Sequence, residues 1–363
     1  MADDNYLKTT TMPETDRKCP NCGGTLTYDA KTREMFCSLC GKHKSITDSP
    51  FRKETVESIP YDPDVIQPGT SWGEMIKLLI CANCGAKVIY GSTQISGSCP
   101  FCGSTNISAA AETDGIMAPN GILPFAIDEK KAGQMFSNYL FRLRYAPRGL
   151  KDCTLESITP LYLPFWVFEA YTVSHYELDV GFLDDENRLY YRKCKGYYRK
   201  KFDEVPICAS SKILNSQIDK LKNFNFYSTV PYTPEYMAGY YAERYSTTLN
   251  YGWESAQENI EERLKSEIKD DERNYPKGSV SCLNLDFTTE YSDIKYRYII
   301  APVYLASFTF KGKKYDVAIN GKTGEVACDP PSTLRVRFIL FVALFVTIAV
   351  IIFLIICKLL LKN

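Results

Sequence analysis

Eight of the fourteen cysteines fall into two frames of identical spacing, and no other feature restricts the fold of this chain so tightly. Cys19, Cys22, Cys37 and Cys40 follow C-x2-C-x14-C-x2-C, and Cys81, Cys84, Cys99 and Cys102 repeat that spacing 62 positions later. Two CxxC knuckles separated by a strand-length stretch bring four thiolates to one point, the donor set that tetrahedral zinc prefers. A glycine follows the second cysteine of every knuckle: Gly23, Gly41, Gly85 and Gly103. A knuckle curls its backbone so that amides point at sulfur, and glycine tolerates the positive φ this needs. Disulfides or a thioredoxin-like redox pair would not call for four such units in two matched frames. The frames therefore predict two zinc ribbons, holding two structural zinc ions on these eight cysteines.

The chain has 363 residues, room for two or three domains, and 45% apolar residues, enough for a real core. Its formal net charge is zero, which removes the broad electrostatic footprint of a dedicated duplex-DNA binder. The 26 tyrosines favour β structure with wet edges. Only His43 and His175 are present, so histidine-based catalysis or a histidine-rich metal site is not expected. Cys153, Cys194, Cys208, Cys282, Cys328 and Cys357 form no motif. Thiolate metal sites beside unpaired cysteines point to a reducing compartment. The polar, acidic start Met1-Ala2-Asp3-Asp4-Asn5 is not a signal peptide.

Phe338 to Cys357 is an uncharged run with one hydroxyl, Thr347. As a helix it spans about 30 Å, the hydrocarbon thickness of a bilayer. Lys311, Lys313, Lys314, Lys322, Arg335 and Arg337 precede it, and only Lys358 and Lys362 follow. The positive-inside rule then places the large N-terminal part in the cytosol. This predicts a single-pass, tail-anchored membrane protein.

The chain divides into a disordered 1–16, ribbon one at 17–45, a proline-containing linker at 46–75, ribbon two at 76–106, a hinge at 107–120, an α+β domain at 121–333 and the membrane segment at 334–363. Within the domain, apolar residues at helical spacing predict a helix over Glu129–Tyr145, with Asp128 as N-cap and Pro147 closing it. Ser210–Phe224 and Tyr251–Asp271 also have helical patterns. Ile158–Glu169, Tyr171–Phe182 and Leu189–Phe202 are aromatic and β-branched strands, broken at Asp184–Asn187. Pro160–Phe168 parallels Pro302–Phe310, each followed by a second strand, Tyr176–Val180 or Tyr315–Ile319. That parallel predicts two related hairpins in one antiparallel sheet. Asn320-Gly321 marks a tight turn. The fold class is α+β: two small zinc ribbons, a mixed antiparallel β domain with helices, and one C-terminal transmembrane helix.

Gly321-Lys322-Thr323 resembles the end of a P-loop, but the required earlier glycine is Asp316 and no helical pattern follows. No GxSxG, HExxH or dinucleotide fingerprint occurs. Cys153, Cys208 and Cys282 lack a recognisable histidine partner, so buried inert thiols are expected. Asp203 and Glu204, adjacent on a strand, point to opposite faces and make a poor catalytic pair. The basic run Arg192, Lys193, Lys195, Arg199, Lys200 and Lys201, interleaved with Tyr191, Tyr197 and Tyr198, is the best candidate ligand surface. It suits stacking plus phosphate contact, a patch on anionic headgroups, or a solvated strand face.

Cys81-Ala-Asn-Cys84-Gly-Ala, Cys99-Pro-Phe-Cys102-Gly-Ser, Ile122-Leu-Pro-Phe125, Tyr162-Leu-Pro-Phe-Trp166, Tyr236-Met-Ala-Gly-Tyr240 with Ala242-Glu243, and Asn320-Gly-Lys-Thr-Gly-Glu325 together resemble a family. It is the uncharacterised, largely bacterial zinc-ribbon proteins with a C-terminal transmembrane helix, often labelled as transcription-factor-IIB-type zinc-ribbon or primosomal-helicase-like proteins. The resemblance covers roughly residues 75–360; the first ribbon lies outside it, and the helicase nucleotide motif is missing. The resemblance carries no known chemistry. The expected function is a non-enzymatic adaptor: cytosolic zinc ribbons recruit a protein partner to the bilayer. Nucleic-acid binding at the membrane, or an enzyme with an unrecognised site in 121–333, are the alternatives.

Overall fold

The computed structural model describes residues 17–46, 56–64, 72, 76–91, 98–110, 117–212, 220–221, 224–271, 276, 278–331 and 334–360, with side chains of the last segment described for 338–353. The disorder expected at 1–16 lies outside these residues. So does most of the helix expected over Ser210–Phe224.

Cysteine frame one carries a small antiparallel sheet of β1 (Leu26–Asp29), β2 (Glu34–Cys37) and β3 (His43–Lys44). Twelve further strands make one mixed sheet: β4 (Ile59–Pro60), β5 (Ile76–Cys81), β6 (Lys87–Gly91), β7 (Ile107–Ala109), β8 (Gly121–Ile122), β9 (Ser157–Leu183), β10 (Leu189–Cys208), β11 (Val230–Pro231), β12 (Tyr241–Glu243), β13 (Ser279–Phe310), β14 (Lys313–Asn320) and β15 (Val326–Cys328). Its main path runs β11-β8-β13-β9-β12-β6-β5-β7. The pairs β12–β9 and β13–β8 are parallel and the rest antiparallel. Helices among the described residues are α1 (Glu129–Arg142), α2 (Leu249–Asp270) and α3 (Leu334–Leu360). The described chain is thus α+β with two four-cysteine clusters.

Strands β9 and β13 are the spine, paired from Ser157–Ser307 to Phe182–Ser279 with register shifts at Ser279/Ser281, Leu283/Asp286 and Ser292/Lys295 of β13. The uninterrupted apolar run Leu161–Phe168 is buried on both faces, as such a run requires. Leu161, Leu163, Phe165 and Val167 enter one core, and Tyr162, Trp166 and Phe168 the other. Beyond Ala170 burial alternates, and the spine becomes a half-covered arm of β10, β9 and β13. Helix α2 covers one face of that arm with Trp253, Ala256, Ile260, Leu264 and Ile268. Gly252 permits this approach, since a Cβ there would stand 2.8 Å from Trp166 Cδ1.

Helix α1 starts as expected, with Asp128 Oδ1 accepting from Lys131 N at 2.7 Å. It buries Ala132, Phe136 and Leu140. It ends at Arg142, before Tyr145, because Leu143 is already extended.

Other expectations are revised by tertiary pairing. The two strands anticipated between Ile158 and Phe182 are one strand, β9. The partner returning beside it is β10, after a turn at Asp184–Arg188, and Tyr176–Val180 is part of β9 itself. The two Pro-x-Tyr-Leu segments lie side by side, Leu161 opposite Val303 and Tyr162 opposite Pro302. In the segment anticipated as a linker, Ile59–Pro60 pairs with β13, and Trp72 is buried. In that anticipated as a hinge, β7 joins β5, Met117 and Ala118 are buried, and Asn120 Oδ1 accepts from Tyr298 N at 2.8 Å.

Among the described residues no helix is long and apolar enough to cross a membrane. The expected span, Phe338–Cys357, falls inside α3, but its last residues, Leu354–Cys357, lie beyond the described side chains. From Phe338 to Phe353 every described side chain is exposed.

Candidate metal centres and the charged strand

Each frame closes into a cluster whose four sulfurs lie within 4.8 Å of one another. Cys19–Cys40 and Cys22–Cys37 Sγ atoms are 3.5 Å apart; Cys81–Cys102 are 3.6 Å and Cys84–Cys99 3.7 Å apart. Four thiolates around one ion at a bond length of about 2.3 Å stand about 3.8 Å apart by tetrahedral geometry. A disulfide would need about 2.05 Å, and all eight cysteines are free. Both sites are therefore able to hold a metal ion on four protein ligands.

The knuckles form as the glycines dictate. Gly23, Gly41, Gly85 and Gly103 have φ of +74°, +74°, +71° and +72°. Their amides donate to the carbonyls of Cys19, Cys37, Cys81 and Cys99 at 2.8–2.9 Å. The last cysteine of each frame has its thiol pKa lowered. The Lys42 amide and the Asn21 side chain draw Cys40 down to about 6. At Cys102 desolvation raises the value, but the Ser104 amide and Asn83 side chain outweigh it and leave it at about 6.

The two frames are built into the domain differently. Frame one docks as a separate small sheet: Tyr28 N donates to Ala238 O at 2.9 Å, and Tyr28 Oη to Phe125 O at 2.9 Å. Arg17 Nη2 donates to Pro234 O at 3.1 Å. The Tyr28 ring meets Tyr236 and Tyr240 edge-on at 5.4 and 6.0 Å. The Tyr236–Tyr240 motif is thus the seat of frame one. Frame two is part of the main sheet, because β6 pairs with β12, which pairs with β9. Cys81 and Cys99 share a core with Val88, Leu161 and Leu163.

Beneath frame two lies a residue that sequence reasoning gave no role. Glu243, on β12, is 1% exposed, and its Oε2 has no hydrogen-bond partner. Burial pushes its carboxyl up to about 8, against weaker lowering by Ser210 and Lys212. Lys212 Nζ in turn donates to Cys84 O at 2.6 Å. A second buried carboxyl, Glu204, is raised by burial to about 7, which Arg297 opposes and Asp203 and Glu169 reinforce. Glu169 accepts from Ser58 Oγ at 2.6 Å and lies 3.4 Å from Arg297 Nε. Asp203 faces outward and pairs with Lys201 at 2.6 Å. Burial is the largest perturbation of both carboxyls, and burial depends on a register that local sequence does not encode.

The basic run is not one surface. Strand alternation splits it between the faces of β10. Lys193, Lys195, Tyr197 and Arg199 share the open face, in register with Asp179, Glu177, His175 and Val173. Arg192, Tyr198 and Lys200 lie on the α2 side, where Arg192 covers the Phe182 ring and Tyr198 Oη reaches Glu267 Oε2 at 3.2 Å. Lys193 and Lys195 both bond Glu177, at 2.5 and 2.7 Å, and Lys200 bonds Glu267. The Asn320–Glu325 segment is a turn: Asn320 Oδ1 accepts from Lys322 N and Thr323 N, and Gly324 N donates to Asn320 O. His175 is exposed on the arm, Cys328 is buried, and Cys153, Cys194, Cys208 and Cys282 are half-buried.

No family model matches the chain, and no solved structure matches it. It is similar to an uncharacterised protein of Bacillus subtilis (strain 168), YdjG, at 28% identity over 326 residues, covering 86% of this chain and 89% of that protein.

Proposed function

We propose that this chain is a membrane-anchored adaptor of the zinc-ribbon type that it resembles, with two zinc ions as structural elements and a cytosolic surface that recruits a protein partner. The observation that carries this reading is the pair of closed four-thiol clusters. Four protein ligands saturate a tetrahedral ion and leave no position for a reactive water, so such a metal folds the chain rather than activating a substrate. Its apparent binding energy, about 10–16 kcal/mol in small zinc modules, stabilises segments too short to build a core. The anchor is the apolar helix Phe338–Cys357, whose described side chains find no cover within the protein. The charges around it orient the ribbons toward the cytosol. Nucleic acid is the weaker reading, because the net charge is zero and strand alternation splits the basic run between the two faces of β10.

Three measurements on the full chain test this reading. Metal analysis is expected to find two zinc ions per chain, and none would end the structural-zinc reading. Alkaline extraction is expected to leave the chain in the membrane pellet; release of the intact chain would end the anchor reading. Crosslinking and affinity purification from membranes should recover a partner with wild type that is lost with Cys81→Ser/Cys84→Ser. Identical partner sets would show that ribbon two recruits nothing.

A further inference from the structure

The arm of β10, β9 and β13 has two open edges of opposite charge. Among the described residues, Leu189–Lys201 of β10 pairs only with β9, and so does Ser279–Ser292 of β13. The β10 stretch contains Arg192, Lys193, Lys195, Arg199, Lys200 and Lys201 and no acidic residue. The β13 stretch, through Asp293, contains Asp286, Glu290 and Asp293 and no basic residue. Both edges also expose apolar surface: Tyr191 and Tyr197 on one, Val280 and Leu283 on the other. An open edge is a template for another strand, and side chains opposite one another across a pair decide which strand fits. Pairing β10 with a second β10 would set lysine against lysine. Pairing β13 with β13 would set carboxylate against carboxylate. Only the unlike edges complement each other.

We propose that these edges are the two halves of one interface, so that the basic β10 edge of one copy pairs with the acidic β13 edge of a second copy. The occupant is a second copy because both halves lie on one chain, over stretches of similar length. Strands β10 and β13 are each antiparallel to β9, so they run in the same direction. Copies related by translation therefore lay β10 parallel to the neighbour's β13, leaving the outer edges free to repeat the contact. Such a head-to-tail contact extends into rows or closes into a ring. On the open face Lys193, Lys195 and Arg199 supply the positive side, and Asp286 and Glu290, in register with Glu177 and Val173, the negative side.

Sedimentation of the full chain in detergent tests this. Wild type is expected to form assemblies at low salt that dissociate at high salt, since exposed charge pairs are screened. Lys193→Glu/Lys195→Glu/Arg199→Glu and Asp286→Lys/Glu290→Lys are each expected to sediment as single copies. Mixed in equal amounts they should regain the wild-type size, because the reversed β10 edge of the first then faces the reversed β13 edge of the second, and the two unreversed edges face each other. Circular dichroism and metal content verify folding, and the corresponding alanine variants, expected to associate more weakly than wild type, replace any that misfolds. A wild type already single at low salt would overturn the proposal and leave the edge lysines the sole task of keeping copies apart. Charge-reversed variants that remain assembled, or a mixture that stays single, would overturn it equally.

Discussion

Replacing Glu243 by glutamine should make the chain more stable at pH 8 than wild type, and only marginally different at pH 4.5. Glu243 is buried beneath frame two, and its carboxyl is raised from 4.5 to about 8. Below pH 4.5 the group is protonated in both folded and unfolded chains, so it imposes no penalty. As pH rises toward 8 the unfolded chain loses this proton while the folded chain keeps it, and stability falls; above 8 the loss is complete. At about 1.4 kcal/mol per pKa unit the full shift corresponds to about 5 kcal/mol, and relaxation around the charge lowers that to about 3–5 kcal/mol. Glutamine is neutral throughout and keeps the shape of the side chain. The assay is urea unfolding of both proteins from pH 4.5 to 9 with metal saturating. Glu204 titrates near 7 as well, so the informative quantity is the difference between variant and wild type. A difference that stays constant across this range would show that Glu243 folds already ionised, and the reasoning from its burial would fail.

Three further outcomes follow from the same geometry. Cys84→Ser should leave one bound metal ion per chain by metal analysis and lower the thermal midpoint of the whole domain, because frame two shares the main sheet; retention of two ions would contradict the four-thiol site. Tyr28→Phe should cost about 1–2 kcal/mol in urea unfolding through the lost bond to Phe125 O, and Tyr28→Ala about 3–5 kcal/mol, with hydrogen exchange in β1 and β2 rising first. Gly321→Ala places a Cβ 2.5 Å from the Phe125 ring and 2.8 Å from Pro302 Cβ; the overpacking should cost about 3 kcal/mol, and Phe125→Leu in the same chain should recover part of it.

Much of this architecture was legible in local pattern. The cysteine frames specified their own closure because ligand spacing and a glycine after each knuckle are short-range requirements. Asp128 capped α1, and the 3.6-residue periodicity of Ile260, Leu264 and Ile268 located α2. The aromatic, β-branched run Ile158–Glu169 marked a strand. Three things were not legible. The strand boundary near Ala170 vanished because β9 continues as an arm, supported by pairing with β10 and β13 rather than by its own composition. The segments 46–75 and 107–120 seemed like connectors, having too few apolar residues to show that Ile59, Trp72, Met117 and Ala118 pack on distant strands. The basic run seemed like one surface because charge along a sequence does not reveal which residues alternate away or which carboxylates the next strand supplies.

The chemistry of the candidate metal sites was thus determined by sequence alone, since four thiols at fixed spacing need only their own knuckles to converge. Where those sites sit was decided by tertiary structure. Frame one rests on Tyr236 and Tyr240, more than two hundred positions from Tyr28. Frame two continues into the main sheet through β12. The same long-range pairing buries Glu243 and Glu204 and gives the arm a basic edge and an acidic edge. These properties arise from strand register between segments far apart in the chain, and register is set by the packing of the whole sheet.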